Sequence, residues 1–216
     1  MHVVPHPHPA LRVKAEPVRA IDKNLRRVVD QMRVLMYATR GIGLAANQVG
    51  LPWRLFLTNP TGDSDRPEEE RVFVNPVVLK RNGAGEDEEG CLSLPDLFGP
   101  VRRAERVTVE AYDLKGQSFR LELDGLDARV VLHENDHLDG VLFPDRMRPE
   151  EREKIAPGLA ELEAKFRAGQ AAGEIPPDEE LERTTAGLAD GSLPLSVLGE
   201  VELPPPEKEP EDGAET

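Results

Sequence analysis

The sequence is poor in aromatic residues and contains a single cysteine. Of its 216 residues only 4% are aromatic, and Cys91 is the one thiol. A single cysteine excludes an intramolecular disulfide and is typical of proteins from a reducing compartment. The chain also lacks any run of about 18 consecutive apolar residues, which is the minimum for a transmembrane helix. We therefore expect a cytoplasmic protein with no membrane association.

Basic residues are outnumbered by acidic residues. The chain has 27 Lys and Arg residues against 41 Asp and Glu residues, for a net charge of -14. The imbalance is concentrated in residues 174–216, which hold 13 acidic and two basic residues. Neither this segment nor the nearly balanced remainder has the basic surface that a phosphate backbone requires. Direct DNA binding is therefore not expected.

The composition changes at about residue 170, where the chain becomes rich in Pro, Glu and Gly. The stretch from Pro204 to Glu211 favours an extended, solvated chain. One apolar segment, Leu193–Leu198, is an exception and would be able to dock onto the domain as an added strand. We predict a globular domain at residues 1–169 and an acidic Pro/Glu-rich C-terminal tail at residues 170–216.

Hydrophobic periodicity predicts both helices and strands in the globular part. Asp22 precedes an apolar stripe at helical spacing that ends at Gly41, which predicts a capped helix. Four segments are predicted to be β-strands: residues 55–58, 71–79, 107–112 and 118–123, of which the last two alternate between apolar and polar residues. The last two segments flank a turn and are predicted to form a hairpin. Pro76 places the segment 71–79 at a sheet edge or a bulge. A further helix is predicted at residues 148–169, interrupted at Pro157.

Two histidines lie four residues apart in the segment Leu132–Gly140. The apolar positions that precede it predict a helix, so His133 and His137 share one face, with Glu134 beside the first. Two imidazoles are able to hold a divalent ion that lowers the pKa of water from ~15.7 toward ~7, while Glu134 transfers the proton. The pattern indicates metal-assisted hydrolysis, and the alternative is a solvated helix face.

The spacing of the remaining residues offers three possible sources for a third metal ligand. A protease with a third histidine would need it at position 143, which is Phe143, so this class is excluded. A thermolysin-like peptidase would use a downstream glutamate, for which four are available: Glu151, Glu153, Glu161 and Glu163. An upstream source is Cys91, which would complete a site of two histidines and one thiolate, either catalytic or a structural zinc site in a binding module. The residues alone leave these alternatives open.

Three segments together resemble the motifs of the peptide deformylase family. They are Gly41–Gln48 (GIGLAANQ), Glu89–Ser93 (EGCLS) and His133–His137 (HENDH). The similarity extends from about Pro9 to Gly169, so the resemblance makes residues 1–169 the catalytic domain. It implies an α+β fold in which antiparallel strands surround a central helix carrying the HExxH motif. It also implies a metal-dependent hydrolase that removes the formyl group from N-formyl-methionine of nascent polypeptides and releases formate.

The resemblance further implies a role for individual residues. Glu134 would be the general acid and base, while the Gln48 amide and the backbone N–H of Leu92 would donate hydrogen bonds to the developing oxyanion. The implied metal ligands are Cys91, His133 and His137. The implied substrate-binding residues are Ile42, Gly43, Gly90, Arg103, Leu126 and Val130.

The family also implies one divalent ion, Fe2+ in the cell, for which Zn2+, Ni2+ or Co2+ substitutes. The implied partners are N-formyl-methionyl peptides and, transiently, the ribosome, although an acidic tail would repel ribosomal RNA. Two positions depart from the family pattern. Leu132 stands where Gln is usual, which predicts a lost hydrogen bond behind the metal. Arg129 stands where an apolar residue is common, which predicts a more polar rim of the methionine pocket or a side chain that reaches outward.

Overall fold

A computed structural model describes residues 1–203, and the solvated stretch predicted from Pro204 to Glu211 lies outside the described residues. The strands within residues 1–203 are β1 (Gly43–Ala45), β2 (Leu55–Thr58), β3 (Arg71–Asn82), β4 (Gly85–Cys91), β5 (Leu94–Arg103), β6 (Arg106–Tyr112) and β7 (Ser118–Asp124). The α-helices are α1 (Lys23–Ala38), α2 (Gly125–Leu138), α3 (Pro149–Ala172) and α4 (Asp178–Asp190). In this part of the chain no helix combines the length and apolar composition needed to cross a bilayer.

Five strands form one antiparallel sheet in the order β1-β2-β3-β6-β7, and β4 pairs with β5 in a separate hairpin. The predicted strand pair at residues 107–112 and 118–123 is confirmed as β6 and β7. Pro76 lies where the register between β3 and β6 shifts, between Val74 and Val77. The sequence therefore predicted the irregularity at Pro76 correctly, because proline removes a donor from the ladder.

The large sheet carries a helix on each face. Leu55 and Leu57 of β2 pack with the apolar stripe of α1, whereas Phe56 between them packs with Val131 and Leu138 of α2. Successive side chains of a strand point to opposite faces, so one strand supplies both layers. The β4–β5 hairpin bonds to α2 as well, which leaves α2 between the sheet and the hairpin. The fold is the expected α+β arrangement of antiparallel strands and helices.

Helix α1 begins at the cap that the sequence predicted. The Asp22 carboxylate accepts a hydrogen bond from the backbone N–H of Leu25 at 2.9 Å, which satisfies one of the free donors of the first turn. The apolar stripe is fully buried: Leu25, Val28, Val29, Met32, Leu35 and Met36 are each at most 3% exposed. Local capping and the apolar face therefore act together to fix this helix against the sheet.

Helix α3 runs without a break from Pro149 to Ala172, so the predicted interruption at Pro157 is wrong. Proline removes one backbone donor from a helix and usually bends or ends it. Gly158, the residue after Pro157, packs tightly against β5: a Cβ at this position would lie 2.4 Å from Cδ2 of Leu97. Tertiary packing holds the helix together where the local sequence favours a break.

The described part of the segment after α3 folds back onto the domain, although the sequence predicted a separate acidic tail from residue 170. Leu188 of α4 is 1% exposed, and its carbonyl accepts a hydrogen bond from Nε1 of Trp53 at 3.2 Å. Leu193 and Leu198 pack on the same core as α1, the latter in a 3-10 helix rather than the added strand that was considered. The charged composition hid this docking because the acidic residues of α4 lie on its outer face.

Leu188→Ala tests whether this C-terminal segment is part of the folded core. We expect the free energy of unfolding to fall by about 2 to 4 kcal/mol, since the substitution leaves a cavity in a buried site. The measurement is urea denaturation followed by circular dichroism. The control is Leu203→Ala in the same segment, where the side chain is 58% exposed and no change is expected. Equal stability of the two variants would contradict the docking.

The N-terminal segment packs against α3 through His8. The His8 side chain is 9% exposed, its Nδ1 accepts a hydrogen bond from the Ala10 N–H at 3.1 Å, and its ring meets Phe166 edge-on at 6.3 Å. Burial, with a smaller contribution from the charge of His2, lowers the pKa of His8 to about 4, while Asp178 opposes the change. The imidazole is therefore neutral in the folded protein at neutral pH.

His8→Asn is expected to make stability less dependent on pH. Between pH 6.5 and pH 4 the unfolded chain binds a proton at His8 that the folded protein does not, so stability falls as the pH falls through this range. Asparagine keeps a side-chain acceptor but does not titrate. Between these pH values the metal-free wild type should lose about 2 to 3 kcal/mol more of its unfolding free energy than metal-free His8→Asn. Parallel losses in chemical denaturation would contradict this assignment.

Candidate metal centre and active site

The three predicted metal ligands lie together between α2 and the β4–β5 hairpin. His133 and His137 are one turn apart on α2, and their ring centroids are 5.0 Å apart. Cys91 is the last residue of β4, where the hairpin turns, and its Sγ lies 3.4 Å from Nε2 of His137. The candidate ligand atoms of the three residues all lie within 4.8 Å of one another. A helix and a distant hairpin thus supply one compact donor set.

The two histidines differ in what their Nδ1 atoms contact. Nδ1 of His133 lies 3.0 Å from Oε2 of Glu89, which leaves Nε2 of the same ring for an ion. His137 is 1% exposed, and its Nδ1 has no hydrogen-bond partner among residues 1–203. A carboxylate behind a ligating imidazole is the usual way in which proteins fix the orientation of a metal ligand. Glu89 is in position to do this for His133.

The electrostatics of the cluster favour a cation. Burial alone lowers the pKa of His133, but hydrogen bonds with Cys91 and Glu89 and the charges of Cys91 and Glu134 raise it to about 10. Burial and the charge of His133 lower the pKa of His137 well below its ordinary value. A metal ion on Nε2 of His133 would take the place of the proton that this environment stabilises, while His137 stays neutral and able to ligate. Thiolate and imidazole donors in such a field fit a divalent transition metal.

Glu134 is buried beside the cluster because Gly43 of β1, which lies against it, has no side chain. A Cβ placed on Gly43 would lie 2.4 Å from Oε1 of Glu134, so only glycine permits this approach. Glu134 is 4% exposed, and its Oε2 has no hydrogen-bond partner within residues 1–203. Burial raises the pKa of Glu134 to about 7, against the charges of His133 and Arg103, which lower it. A carboxyl group that titrates near neutrality suits proton transfer.

Gln48 reaches the cluster from the other side. It lies in the 3-10 helix Ala46–Val49 and is 1% exposed. Its Oε1 accepts a hydrogen bond from the Ala45 N–H at 2.9 Å, which directs Nε2 toward Sγ of Cys91 at 3.5 Å and Oγ of Ser93 at 3.5 Å. The amide is therefore oriented with its donor side facing the donor set. Leu92 follows Cys91 in the turn between β4 and β5.

Most of the predicted substrate-binding residues lie on or beside β1, β4 and α2, the elements that carry or border this centre. Gly43 is the first residue of β1, an edge strand of the large sheet, and Ile42 directly precedes it, while Gly90 lies beside Cys91 on β4. On α2, Leu126 is 50% exposed and Val130 is 5% exposed. Of these residues, Gly43 lies against the Glu134 carboxyl group and Gly90 adjoins Cys91.

Arg103 lies elsewhere than the sequence predicted. Its guanidinium is buried behind the cluster, donating to Glu89 at 2.6 and 2.8 Å and to Asp136 at 2.7 Å. Arg146 donates to the second oxygen of Asp136 at 2.7 Å. With all of these donors engaged inside the protein, the Arg103 guanidinium does not face a substrate groove.

Sequence reasoning assigned no role to Glu89 or Asp136. One signal was present for each residue. Glu89 opens the segment that contains Cys91, and Asp136 lies three residues after His133, on the same side of α2. The sequence does not show that Arg103 bridges Glu89 and Asp136, because these residues are 14 and 33 positions away from it.

Leu132 is buried in apolar surroundings rather than beside the metal ligands. It is 5% exposed and packs with Val107 and Ala128. The side chain therefore contributes to the packing of α2 against β6 and supplies no hydrogen bond to the donor set.

The family model of polypeptide deformylase matches residues 1–153. The chain belongs to this family. The peptide deformylase of Rhodopirellula baltica is 41% identical over 175 residues, which cover 81% of this chain and 87% of the relative. That of Neisseria gonorrhoeae is 44% identical over 147 residues, which cover 68% and 86%. The solved deformylase of Plasmodium falciparum is 38% identical, with a TM-score of 0.75, and the match covers 77% of this chain and 97% of that one.

Membership of the deformylase family defines the reaction. The enzyme is a metal-dependent amide hydrolase that removes the formyl group from N-formyl-methionine of nascent polypeptides and releases formate. The cluster of Cys91, His133 and His137 is consistent with the metal dependence of the family. This activity accounts for a buried donor set that has a carboxyl group on one side and an amide on the other.

Gly43→Ala tests the close approach of β1 to Glu134. We expect kcat to fall about tenfold to a hundredfold, because the new methyl group displaces the carboxyl group and small displacements of reacting groups are costly. Metal content, measured by elemental analysis, should stay at the wild-type value, since neither residue belongs to the donor set. A variant with wild-type kcat would show that the position of Glu134 is not limiting.

Proposed function

We propose that Cys91, His133 and His137 hold one divalent metal ion and that Glu134, Gln48 and the backbone N–H of Leu92 carry out the deformylation around it. The observation that supports this proposal is the donor set itself, whose three ligand atoms lie within 4.8 Å of one another. Within residues 1–203 this group contains no fourth protein ligand. A site with three protein ligands and an open position is typical of catalytic rather than structural metal centres.

We assign the ion as Fe2+ in the cell because the resemblance to the deformylase family implies it. Zn2+, Ni2+ or Co2+ would substitute, since a thiolate and two imidazoles accept each of these ions. When bound, the ion supplies Lewis acidity, which makes water more acidic and polarises the formyl oxygen. A thiolate ligand also makes a ferrous centre sensitive to oxygen. Elemental analysis of protein purified without oxygen identifies the native metal.

Glu134 moves the proton in this scheme. Its carboxylate accepts a proton from the water that attacks the formyl carbon and delivers it to the amine of the departing methionine. The first step requires an ionised carboxylate and the second a carboxylic acid, and a pKa near 7 allows both forms at neutral pH. Its unpartnered Oε2 is available for this exchange.

Gln48 and Leu92 stabilise the charge that develops on the formyl oxygen. The Gln48 amide is held by its bond from Ala45, so Nε2 needs no rearrangement to donate. Fixed donors of this kind are worth about 3 to 4 kcal/mol each in comparable oxyanion sites. Leu92 would contribute its backbone N–H from the turn that follows Cys91.

The peptide would bind as an added strand along β1. Because β1 pairs with β2 alone, its other edge is open to an extended chain within the described residues. Ile42, Gly43 and Gly90 would line this groove, and Leu126 and Val130 would border the pocket for the methionine side chain. Arg103 is better assigned to the support of the metal ligands, because its guanidinium is buried with Glu89 and Asp136.

We place this reaction in the cytoplasm, with nascent N-formyl-methionyl chains as substrates and a transient association with the ribosome. Residues 174–203 carry eight acidic residues and one basic residue, so like charge would repel ribosomal RNA from this segment. Contact with the ribosome would therefore use another surface of the enzyme.

Glu134→Gln tests the assignment of the proton carrier. We expect formate release from formyl-Met-Ala-Ser to fall by ~10²–10⁴-fold, because glutamine has a similar shape but does not exchange a proton. Bound metal should remain, since Glu134 is not a ligand. The assay follows formate with a coupled dehydrogenase on protein of known metal content.

Cys91→Ser is the companion variant for the ligand set. It should lose most of its metal under conditions in which Glu134→Gln keeps it. If Cys91→Ser retained metal while Glu151→Ala lost it, the site would be that of a thermolysin-like peptidase. An unimpaired Glu134→Gln variant would remove Glu134 from the mechanism and leave the family activity to another group.

A further inference from the structure

Arg129 reaches inward to the support of the metal site, which differs from its expected place on the rim of the methionine pocket. Its NH1 donates to Oε1 of Glu89 at 2.7 Å and to the carbonyl of Val101 at 3.0 Å, and its NH2 donates to the carbonyl of Gly85 at 3.2 Å. The side chain is 13% exposed. One guanidinium therefore binds both strands of the β4–β5 hairpin and the carboxylate that faces His133.

The Glu89 carboxylate has four hydrogen-bond contacts, and Arg129 is one of the two donors to its Oε1. Oε1 accepts from Nε of Arg103 at 2.6 Å and from Arg129, while Oε2 accepts from NH2 of Arg103 at 2.8 Å and faces Nδ1 of His133 at 3.0 Å. Arg103 is shared, because its NH1 also donates to Asp136 at 2.7 Å. The charge of Arg103 thus faces two buried carboxylates.

Arg129 and His133 lie one turn apart on α2, so they share a face of the helix. Glu89 binds both, and this fixes its carboxylate relative to α2 at two points: Oε1 through Arg129 and Oε2 through His133. Arg103 approaches from β5 and fixes the same carboxylate relative to the hairpin. Without Arg129, the carboxylate would keep a single contact to α2, which is the His133 ring that it must orient.

The pairing of buried charges also indicates that Arg129 supports Glu89. Buried carboxylates are tolerated only when each is compensated by a nearby cation and by hydrogen bonds. Arg146 compensates Asp136, and Arg129 compensates Glu89, which leaves Arg103 to bridge the two. Removing Arg129 takes one of two guanidinium partners from Glu89, whose side chain is 5% exposed, and leaves Arg103, which Glu89 shares with Asp136.

We propose that Arg129 is a positioning residue of the metal centre. It acts through Glu89, which keeps Nδ1 of His133 engaged and leaves Nε2 of the same ring for the ion. This inference rests on the ligand set proposed above for Cys91, His133 and His137. It assigns to Arg129 a function in metal retention and ligand geometry, not in substrate contact.

Arg129→Met is the test, because methionine keeps the apolar stem and removes every donor. Metal-free protein is titrated with Co2+, followed by its absorption spectrum, and with Zn2+ against a competing chelator. We expect both dissociation constants to rise about tenfold to a hundredfold, as is usual when a partner behind a metal ligand is lost. The Co2+ spectrum should change, and kcat at saturating metal should fall more than KM changes. Arg129→Lys, which keeps one charged donor, should lie between the wild type and Arg129→Met.

The matched control is Arg71→Met. Arg71 also ties a strand to α2, through NH1 at 2.8 Å from the Asp127 carboxylate, but it does not contact Glu89. This variant should bind both metals like the wild type, with the same Co2+ spectrum, whatever the change in its melting temperature. If Arg129→Met does not fold, Arg129→Lys and Arg129→Gln are compared in its place, with the larger loss of affinity expected for Gln.

Two results would overturn the proposal. One is a metal affinity within twofold of the wild type in Arg129→Met, or in Arg129→Gln where that variant replaces it. The other is a Co2+ spectrum identical to that of the wild type, with a lowered melting temperature as the only change. Either would make the role of Arg129 purely structural. Cys91→Ser separates this failure from that of the ligand set: if it also kept its metal, the donor assignment itself would be wrong.

Discussion

The buried carboxylate of Glu89 is the interaction on which the arrangement of the site depends. Burial raises the pKa of this group, but hydrogen bonds from His133 and Arg103 outweigh burial and lower it to about 2. An ionised carboxylate inside a protein is stable only where several donors converge. Here the donors come from both α2 and the hairpin, so satisfying one charge fixes the relative position of two elements. Those are the elements that carry Cys91 and the two histidines.

A second constraint is steric, and it acts on the opposite side of α2. Gly43 lets β1 approach Glu134 so closely that any Cβ would collide with the carboxyl group. The next turn of chain carries Gln48, whose amide is oriented by the backbone of Ala45. The proton carrier and the amide donor are thus held by main chain rather than by long side chains. This geometry loses little conformational freedom when substrate binds, because it is already fixed.

The sequence predicted those parts of the fold whose signals are local. The stripe of α1, the hairpin at residues 107–123 and the shared face of His133 and His137 each follow from spacing within one element. The third ligand did not follow from spacing alone, since a downstream glutamate remained an alternative to Cys91. The partners of Glu89 were missed for the same reason. Arg103 and Arg129 are 14 and 40 positions away, and only the folded hairpin brings them together.

The docking of the C-terminal segment could not be predicted from its acidic composition. Its composition suggested a separate tail beginning at residue 170, yet α3 continues to Ala172 and Leu188 lies in the core that α1 shares with β2. The same core supports the catalytic side: Leu198 packs near Gly50, and the Val4 N–H donates to the carbonyl of Gln48 at 2.8 Å. Both ends of the described chain therefore meet behind the 3-10 helix that carries Gln48. A division of this enzyme at residue 169 would separate the amide donor from part of the packing that holds it.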